Sequence, residues 1–334
     1  GLHAEGLHHW RMAMKSIILL ASLALVACGE NLAPVEDTKA PADLRIAFNV
    51  YTNTPEDNYE VFVMDLDGKN RKNITNTPGV DWVYAAYGDR LLFLSDRDTC
   101  HRCYFLYEMD ADGNNVRRIS DRQLQDSWMS ARMNGDEFIV DPKGINDTAF
   151  FRLDRDGKHL DTLYHGLAYA NDPCFSPDGE RIVFRGAKEK VKHGYPAELH
   201  IINTDGSDLR QLTHYPADDT TAEWWAYHAG PPQWRSDDRI TYCSKRKGNL
   251  SIFSIKPDGT DEQQLTPDGF DEDWHAWSPD GNLLVYGGTP VVNEEERPVY
   301  DIFLMDMRTK QAKRLTTDTL SEQAPVFVRV ADPR

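Results

Sequence analysis

The sequence predicts an all-β fold of repeated antiparallel sheets, and two recurring turns and their spacing carry that prediction. The first turn follows a short run of strand-forming residues, as at Asp154-Arg-Asp156-Gly157. An Asp-Gly pair between apolar runs is a strong hairpin signal, because Gly accepts the positive φ that such turns require. The glycines of the first five copies step by 45, 44, 49 and 53 residues. These copies lie at 65–68, 110–113, 154–157, 203–206 and 256–259, with a sixth, glycine-free copy at 306–309.

A second turn runs in step with the first and completes the repeat. It is clearest at Phe175-Ser-Pro-Asp-Gly179 and Trp277-Ser-Pro-Asp-Gly281, each followed by an apolar strand. One period therefore contains strand, turn, strand, loop, strand, turn and strand. A tandem array of such four-stranded antiparallel blades predicts a β-propeller.

The length of the repeating region predicts six blades. Residues 44–330 give about 48 residues for each of six repeats, whereas seven repeats of about 41 fit the observed steps poorly. Residues 324–330 resemble a first strand with no blade after it, and residues 43–48 resemble a second strand that lacks its first. We expect the C-terminal strand to pair with the N-terminal blade and close the ring, which removes an open sheet edge.

The repeat also carries a family resemblance. The Trp/Phe-Ser-Pro-Asp-Gly turn, followed by Leu199-His-Ile-Ile-Asn-Thr-Asp-Gly206 and Leu209-Arg-Gln-Leu-Thr213, resembles the TolB-type, WD40-like propeller repeat. The resemblance covers about residues 44–330 and implies the propeller fold. Similar repeats occur in peptidase propeller domains and in oligogalacturonate lyases, so the resemblance leaves the activity open.

The segment before the repeats resembles a bacterial lipoprotein signal. An apolar stretch at 16–27 follows Arg11 and Lys15 and ends in Leu25-Val-Ala-Cys28. Its twelve residues are fewer than the roughly 17 that a membrane-spanning helix needs. We therefore predict an upstream extension and signal peptide at 1–28 with lipidation of Cys28, a flexible tether at 29–42, and the propeller at 43–334. The protein is then lipid-anchored in the bacterial envelope, on the periplasmic side of the outer membrane or on the cell surface.

The net charge of the chain limits the classes of partner that it is expected to bind. The chain carries 37 Lys and Arg against 54 Asp and Glu, a net charge of −17. Nucleic acids and polyanionic substrates favour basic surfaces, so this balance argues against both. It favours cationic, neutral or metal-bearing partners, although acidity also keeps an exported protein soluble.

The long loops indicate where a partner would bind. Both repeating turns fall on one face of a propeller, and the longer loops, above all 213–232, fall on the other. Exposed aromatic residues there would anchor a protein or a glycan. Alternatively, the two adjacent tryptophans pack back on their blade. The candidate binding residues are Trp224, Trp225, Tyr227, His228, Trp274 and His275.

Carboxylates at the start of successive first strands are weaker candidates for a divalent metal site. Such oxygens, with one imidazole, would hold Ca²⁺ or Mn²⁺ if they converged on the channel axis. Alternatively, they cap strand ends and pack between blades. No other cofactor is expected. The candidates are Asp81, Asp126, Asp172, Asp273 and His275.

Cys100-His-Arg-Cys103 predicts a disulfide within one loop, since the exported compartment is oxidising. A redox motif or a zinc site is the alternative.

These features favour a monomeric, non-catalytic binding or scaffold module for an envelope protein or glycan, with no role in nucleic-acid binding. Gly-X-Ser-X-Gly is absent from the sequence. The alternative is a metal-dependent polysaccharide lyase similar to oligogalacturonate lyases. That family holds its metal with closely spaced histidines, and the sequence has no His-X-His pair.

Overall fold

The computed structural model describes residues 43–52, 58–145, 148–192, 194–223, 225–290 and 298–330. These residues form six four-stranded antiparallel sheets arranged as a ring, which confirms the predicted six-bladed propeller. The predicted signal peptide, Cys28 and the tether lie outside the described residues. In the part of the chain that is described, no helix is long and apolar enough to cross a membrane.

Each blade consists of four strands numbered in chain order. Blade one contains β24 (Ser321–Arg329), β1 (Leu44–Tyr51), β2 (Tyr59–Asp65) and β3 (Lys72–Asn73); blade two contains β4 (Asp81–Tyr87), β5 (Arg90–Ser95), β6 (Phe105–Asp110) and β7 (Arg117–Arg118). Blade three contains β8 (Ser130–Arg132), β9 (Glu137–Val140), β10 (Ala149–Asp154) and β11 (His159–Tyr164), with a 3-10 turn at Met133–Gly135. Blade four contains β12 (Tyr169–Phe175), β13 (Arg181–Ala187), β14 (Glu198–Asn203) and β15 (Arg210–Gln211). Blade five contains β16 (Gln233–Trp234), β17 (Ile240–Arg246), β18 (Asn249–Ile255) and β19 (Gln263–Gln264); blade six contains β20 (Phe270–Trp277), β21 (Leu283–Pro290), β22 (Asp301–Asp306) and β23 (Gln311–Arg314).

The ring closes through the two ends of the described chain, as predicted. β24 pairs antiparallel with β1, from Leu44 opposite Arg329 to Tyr51 opposite Ser321. Its residues Phe327 and Val328 are buried in the hydrophobic cluster that also contains apolar residues of β1. The last strand is therefore the innermost strand of the first blade.

The repeating turns have the geometry that their sequence predicts. In the five Asp-Gly-type turns the glycine has φ between +79° and +88°. Its N–H donates to the carbonyl three residues earlier at 2.9 or 3.0 Å. Space is a second reason for glycine: a Cβ added to Gly113 would lie 2.3 Å from the carbonyl oxygen of Ile74, between blades two and one. These turns therefore also set how closely the blades pack.

The strand connections define two faces of the ring. The links between first and second strands and between third and fourth strands lie at one end, here called the turn face. The remaining links lie at the opposite end, the long-loop face, and the longest of them connects β15 to β16. Cys100 and Cys103 form a disulfide on this face, in the link between β5 and β6, with Cα atoms 5.2 Å apart.

Blade six contains a carboxyl group that burial keeps protonated. Glu272 on β20 is buried, and its side chain accepts a hydrogen bond from the Thr266 hydroxyl. Burial raises the pKa of Glu272 to about 8, and the bond from Thr266 opposes that rise. Because this pKa lies above the ordinary glutamate value of 4.5, the stability that the group contributes is complete below pH 4.5 and lost as the pH rises through 8.

We therefore expect Glu272→Gln to raise the melting temperature at pH 9 and to change it little at pH 5. The wild-type free energy of unfolding should fall between these pH values by up to about 1.4 kcal/mol per pH unit from this group. Thermal melts at both pH values, with the exposed Glu180→Gln as control, check this. Parallel pH profiles for wild type and Glu272→Gln would contradict it.

Candidate ligand-binding cavity at the channel mouth

A cavity of about 290 Å³ lies on the long-loop face, where the first strands of the blades begin around the central channel. We call it the mouth cavity. Residues from blades one to six contribute to it, because the ends of the strands and the links between them converge there. It is lined by Tyr59, Val80, Trp82, Arg102, Tyr104, Asp126, Trp128, Tyr169, Asn171, Asp172, Arg185, Tyr195, Tyr227 and Trp274.

Aromatic side chains dominate the lining, and three tryptophans form its centre. The ring of Trp274 lies 5.6 Å from that of Trp82 at 83°, and 5.2 Å from that of Trp128 at 42°. Tyr59 packs edge-on against Trp82 with the centroids 4.6 Å apart. Such tilted and edge-to-face pairs are each worth about 0.5–1.5 kcal/mol beyond their area. The tryptophans of blades two, three and six thus hold one another in place across the channel.

This tryptophan cluster divides the channel. A second cavity of about 460 Å³, the turn-face cavity, is lined by residues further along the first strands and by the turns that follow them. Trp128 lines both cavities, whereas Trp234 and Trp277 line only the turn-face cavity. A ligand in the mouth cavity would therefore rest on the tryptophan cluster.

A buried ion pair forms one wall of the mouth cavity. Arg185 on β13 donates from Nε to the carboxylate of Asp172 on β12, and both side chains are buried. The Arg185 guanidinium also lies over the Tyr227 ring, 5.0 Å from its centroid. Asp172 accepts a hydrogen bond of 2.9 Å from the Trp128 amide, so the pair links blade four to blade three. Burial raises the pKa of Asp172, and the charge of Arg185 opposes that rise.

The second acid of the cavity lies at its rim. Asp126, whose side chain is 58% exposed, accepts a hydrogen bond from the Tyr84 hydroxyl and lies 3.9 Å from Nη1 of Arg102. Burial, followed by the charge of Asp126, raises the pKa of Tyr84 well above its ordinary value. Burial also raises the pKa of Tyr104 and of Tyr227, so these phenols stay neutral.

The structure brings two of the predicted binding residues into this cavity. Tyr227 and Trp274 both line it, and Nε1 of Trp274 donates to the Tyr227 hydroxyl at 3.4 Å. Trp225 is exposed and does not line it, and His228 instead stacks on Tyr215 with the ring centroids 3.9 Å apart. Trp224 lies outside the described residues.

His275 does not reach the cavity. β20 is bulged between Glu272 and His275, and of the two neighbouring residues only Trp274 lines the cavity. His275 is buried between blades, with Nε2 2.7 Å from the hydroxyl of Thr241 in blade five. Burial lowers the pKa of His275 to about 3, so the ring is neutral. Its role is to link blades five and six.

The carboxylates named as metal candidates are not brought together either. Asp81 pairs with Arg97 at 2.8 Å, while Asp126 and Asp172 have the partners given above. Asp273 is buried, and burial raises its pKa well above the ordinary value. Within the described ranges, no three His, Cys, Asp or Glu side chains gather closely enough to hold a metal ion. Asp81 instead pairs within blade two, whereas Asp126 and Asp172 also link blade three to its neighbours.

Sequence reasoning missed Trp82 and Trp128 as cavity residues. Trp82 lies near the start of β4, Trp128 lies just before β8, and Trp274 lies within β20. Recurrence of tryptophan in or beside a first strand is the signal that would have identified them.

Comparison with known proteins gives the family. The "TolB beta propeller domain" family PD40 matches residues 29–224. Dipeptidyl-peptidase 5 of Porphyromonas endodontalis is 33% identical over 115 residues, which cover 33% of this chain and 15% of that protein. A TolB homolog of Chlorobium luteolum is 30% identical over 158 residues, which cover 47% of this chain and 31% of the homolog. The chain thus spans less than two thirds of either relative.

The solved structures agree on the fold. The crystal structure of TolB from Acinetobacter baumannii superimposes with a TM-score of 0.65 and 16% identity, covering 86% of this chain and 68% of that one. At this identity the likeness concerns the fold alone. The family match covers more than half of the chain, and the chain folds into a six-bladed ring, the β-propeller that the family name describes. The chain therefore belongs to the PD40 family of TolB β-propeller domains.

Proposed function

We propose that this propeller is a non-catalytic binding module of the bacterial envelope that holds an envelope protein or glycan at its mouth cavity. The observation that carries the proposal is the lining of that cavity, in which eight of fourteen residues are aromatic. Ligand sites are typically concave and mostly apolar or aromatic, with a few polar groups that fix orientation. The mouth cavity has this composition on a closed ring of six sheets.

The charged groups of the cavity support binding rather than proton transfer. Asp172 is committed to Arg185 and to the Trp128 amide, and Asp126 is committed to the Tyr84 hydroxyl. A general acid or base must be free to reach a substrate proton. Here the carboxylates position arginine and aromatic side chains instead.

Two observations support an envelope location. The chain belongs to the TolB propeller family, and the sequence before the propeller resembles a lipoprotein signal that ends at Cys28. Acyl chains on Cys28 would hold the module at a membrane surface, because each buried methylene contributes about 0.8 kcal/mol.

Lipidation at Cys28 is directly testable. We expect Cys28→Ser to abolish incorporation of an alkyne-tagged fatty acid and to block normal processing at the Ala27–Cys28 bond, since the serine oxygen cannot form the thioether. Metabolic labelling and an immunoblot that separates the precursor from the processed protein measure both effects, with Cys174→Ser as the matched control. Label retained on the Cys28→Ser protein would rule out this residue as the anchor.

Site-specific photo-crosslinking tests the binding site itself. A photoreactive phenylalanine at Tyr195 places the probe in the mouth cavity, and the same probe at Lys158 places it on the turn face. We expect discrete adducts from position 195 in intact cells and none from position 158. Adducts from position 158 alone would contradict the proposal.

A further inference from the structure

The residues that line the mouth cavity combine stacked aromatic rings, internally paired charges and two buried side-chain atoms without a hydrogen-bond partner. From this combination we propose that its ligand is an uncharged saccharide of one or two rings. This inference rests on the proposed function, because it names the chemistry of the ligand at the same cavity.

Size and surface favour a sugar ring. At about 290 Å³ the cavity is at the lower limit of the roughly 300–1,000 Å³ usual for drug-sized ligands. Tryptophan and tyrosine offer flat apolar faces with a polar group at the edge. A pyranose has the matching shape, with C–H groups on its faces and hydroxyls around its edge. The Trp82, Trp128 and Trp274 cluster provides the surface on which such a ring would stack.

The charges select against ionic ligands. Two arginines and two aspartates line the cavity, and they are matched as Arg185 with Asp172 and Arg102 with Asp126. The lining therefore has no net charge with which to compensate a buried carboxylate or ammonium, and burying an unpaired ion is costly. The overall charge of −17 further disfavours acidic sugars. A cationic ligand would also find the Tyr227 ring occupied by the Arg185 guanidinium.

The unpaired polar atoms are one donor and one acceptor. Among the described residues, neither Nε1 of Trp82 nor Oδ1 of Asn171 has a hydrogen-bond partner, and both atoms are closed off from solvent. Leaving a buried polar atom unpaired costs about 1–3 kcal/mol. A hydroxyl both donates and accepts, so sugar hydroxyls could pair with both atoms once side-chain rotation turns them from their closed positions towards the cavity. Binding would then give hydrogen-bond partners to two atoms that are unpaired in the free protein.

Titration of the full chain with chemically matched probes tests this inference. The neutral probes are cellobiose, maltose, N,N′-diacetylchitobiose and a printed array of uncharged oligosaccharides; digalacturonate and choline represent the anionic and cationic classes. Tryptophan fluorescence and calorimetry report binding. We expect at least one neutral saccharide to bind and the two ionic probes not to bind.

Two substitutions connect binding to the cavity. Trp82→Phe removes the unpaired indole N–H but keeps an aromatic ring in the cluster, so we expect binding at least tenfold weaker in a protein that still folds, with a modestly lower melting temperature. Asn171→Ala removes the unpaired acceptor and should also weaken binding at least tenfold, which gives an independent reading if Trp82→Phe does not fold. Trp225→Ala, outside the cavity, should bind as the wild type does.

Each other outcome is decisive. If digalacturonate or choline binds through Trp82 and no neutral saccharide does, the saccharide inference fails while the proposed binding function stands. The same conclusion follows if every probe fails but the crosslink at position 195 captures a protein. If no probe binds and position 195 gives no adduct, both fail. Equal loss of affinity in Trp225→Ala would also overturn the assignment to this cavity.

Discussion

Deletion of residues 321–334 will abolish cooperative thermal unfolding. This segment contains β24, the innermost strand of blade one, which pairs with β1 at seven positions. The deletion removes the buried side chains of Phe327 and Val328 from the largest hydrophobic cluster and exposes the edge of β1. Loss of several buried apolar side chains, at about 2–5 kcal/mol each, exceeds the usual stability of a domain. An unpaired strand edge also promotes aggregation.

A shorter deletion provides the control. Removing only residues 331–334 leaves β24 intact, so this variant should unfold with the midpoint and steepness of the full chain. Circular dichroism melts and light scattering distinguish the two deletions. A chain without β24 that melts like the parent would disprove closure of the ring by this strand.

Replacement of Arg185 by leucine will strongly destabilise the propeller at neutral pH. The substitution leaves the buried carboxylate of Asp172 without its ion-pair partner and removes a 3.1 Å hydrogen bond to the Gly194 carbonyl. Breaking one side of a buried ion pair typically costs about 3–5 kcal/mol. Because burial already raises the pKa of Asp172, the lone carboxyl should take up a proton, and the loss should be smaller at pH 5.

A double substitution separates the lost charge pair from the lost volume. Asp172→Asn in the Arg185→Leu background removes the uncompensated charge and keeps an acceptor for the Trp128 amide. At pH 7, chemical denaturation should show that the double variant regains at least half of the free energy of unfolding that Arg185→Leu loses. If the single variant is as stable as the wild type, the pair does not hold blades three and four together as described.

The fold could be predicted from sequence because its signals are local and repeated. Six blades were predicted from the two kinds of turn and their spacing. Closure by β24 was predicted from the incomplete first and last repeats. Each of these features depends on a few adjacent residues, such as a glycine with positive φ. The antiparallel order of the strands then determined which links share a face.

The site was only partly predictable, because it depends on which side of a strand each residue faces. The long-loop face and the residues Tyr227 and Trp274 were identified, but His275, the next residue along the bulged strand β20, is buried between blades. Trp82 and Trp128 come from distant repeats and meet Trp274 only when the ring closes. The partners of the carboxylates were equally inaccessible, since they lie on other strands or loops of the same blade or in the next blade.

The eight tryptophans of the chain allow one direct measurement of where binding occurs. Each indole N–H gives a separate resonance in a spectrum of ¹⁵N-tryptophan-labelled protein, and single Trp→Phe variants assign them. We expect titration with a solubilised envelope extract to shift the resonances of Trp82, Trp128 and Trp274. The resonances of Trp234 and Trp277, in the turn-face cavity, should stay in place. Shifts confined to Trp234 and Trp277, or no shift at the mouth cavity, would contradict the assignment of binding to the long-loop face.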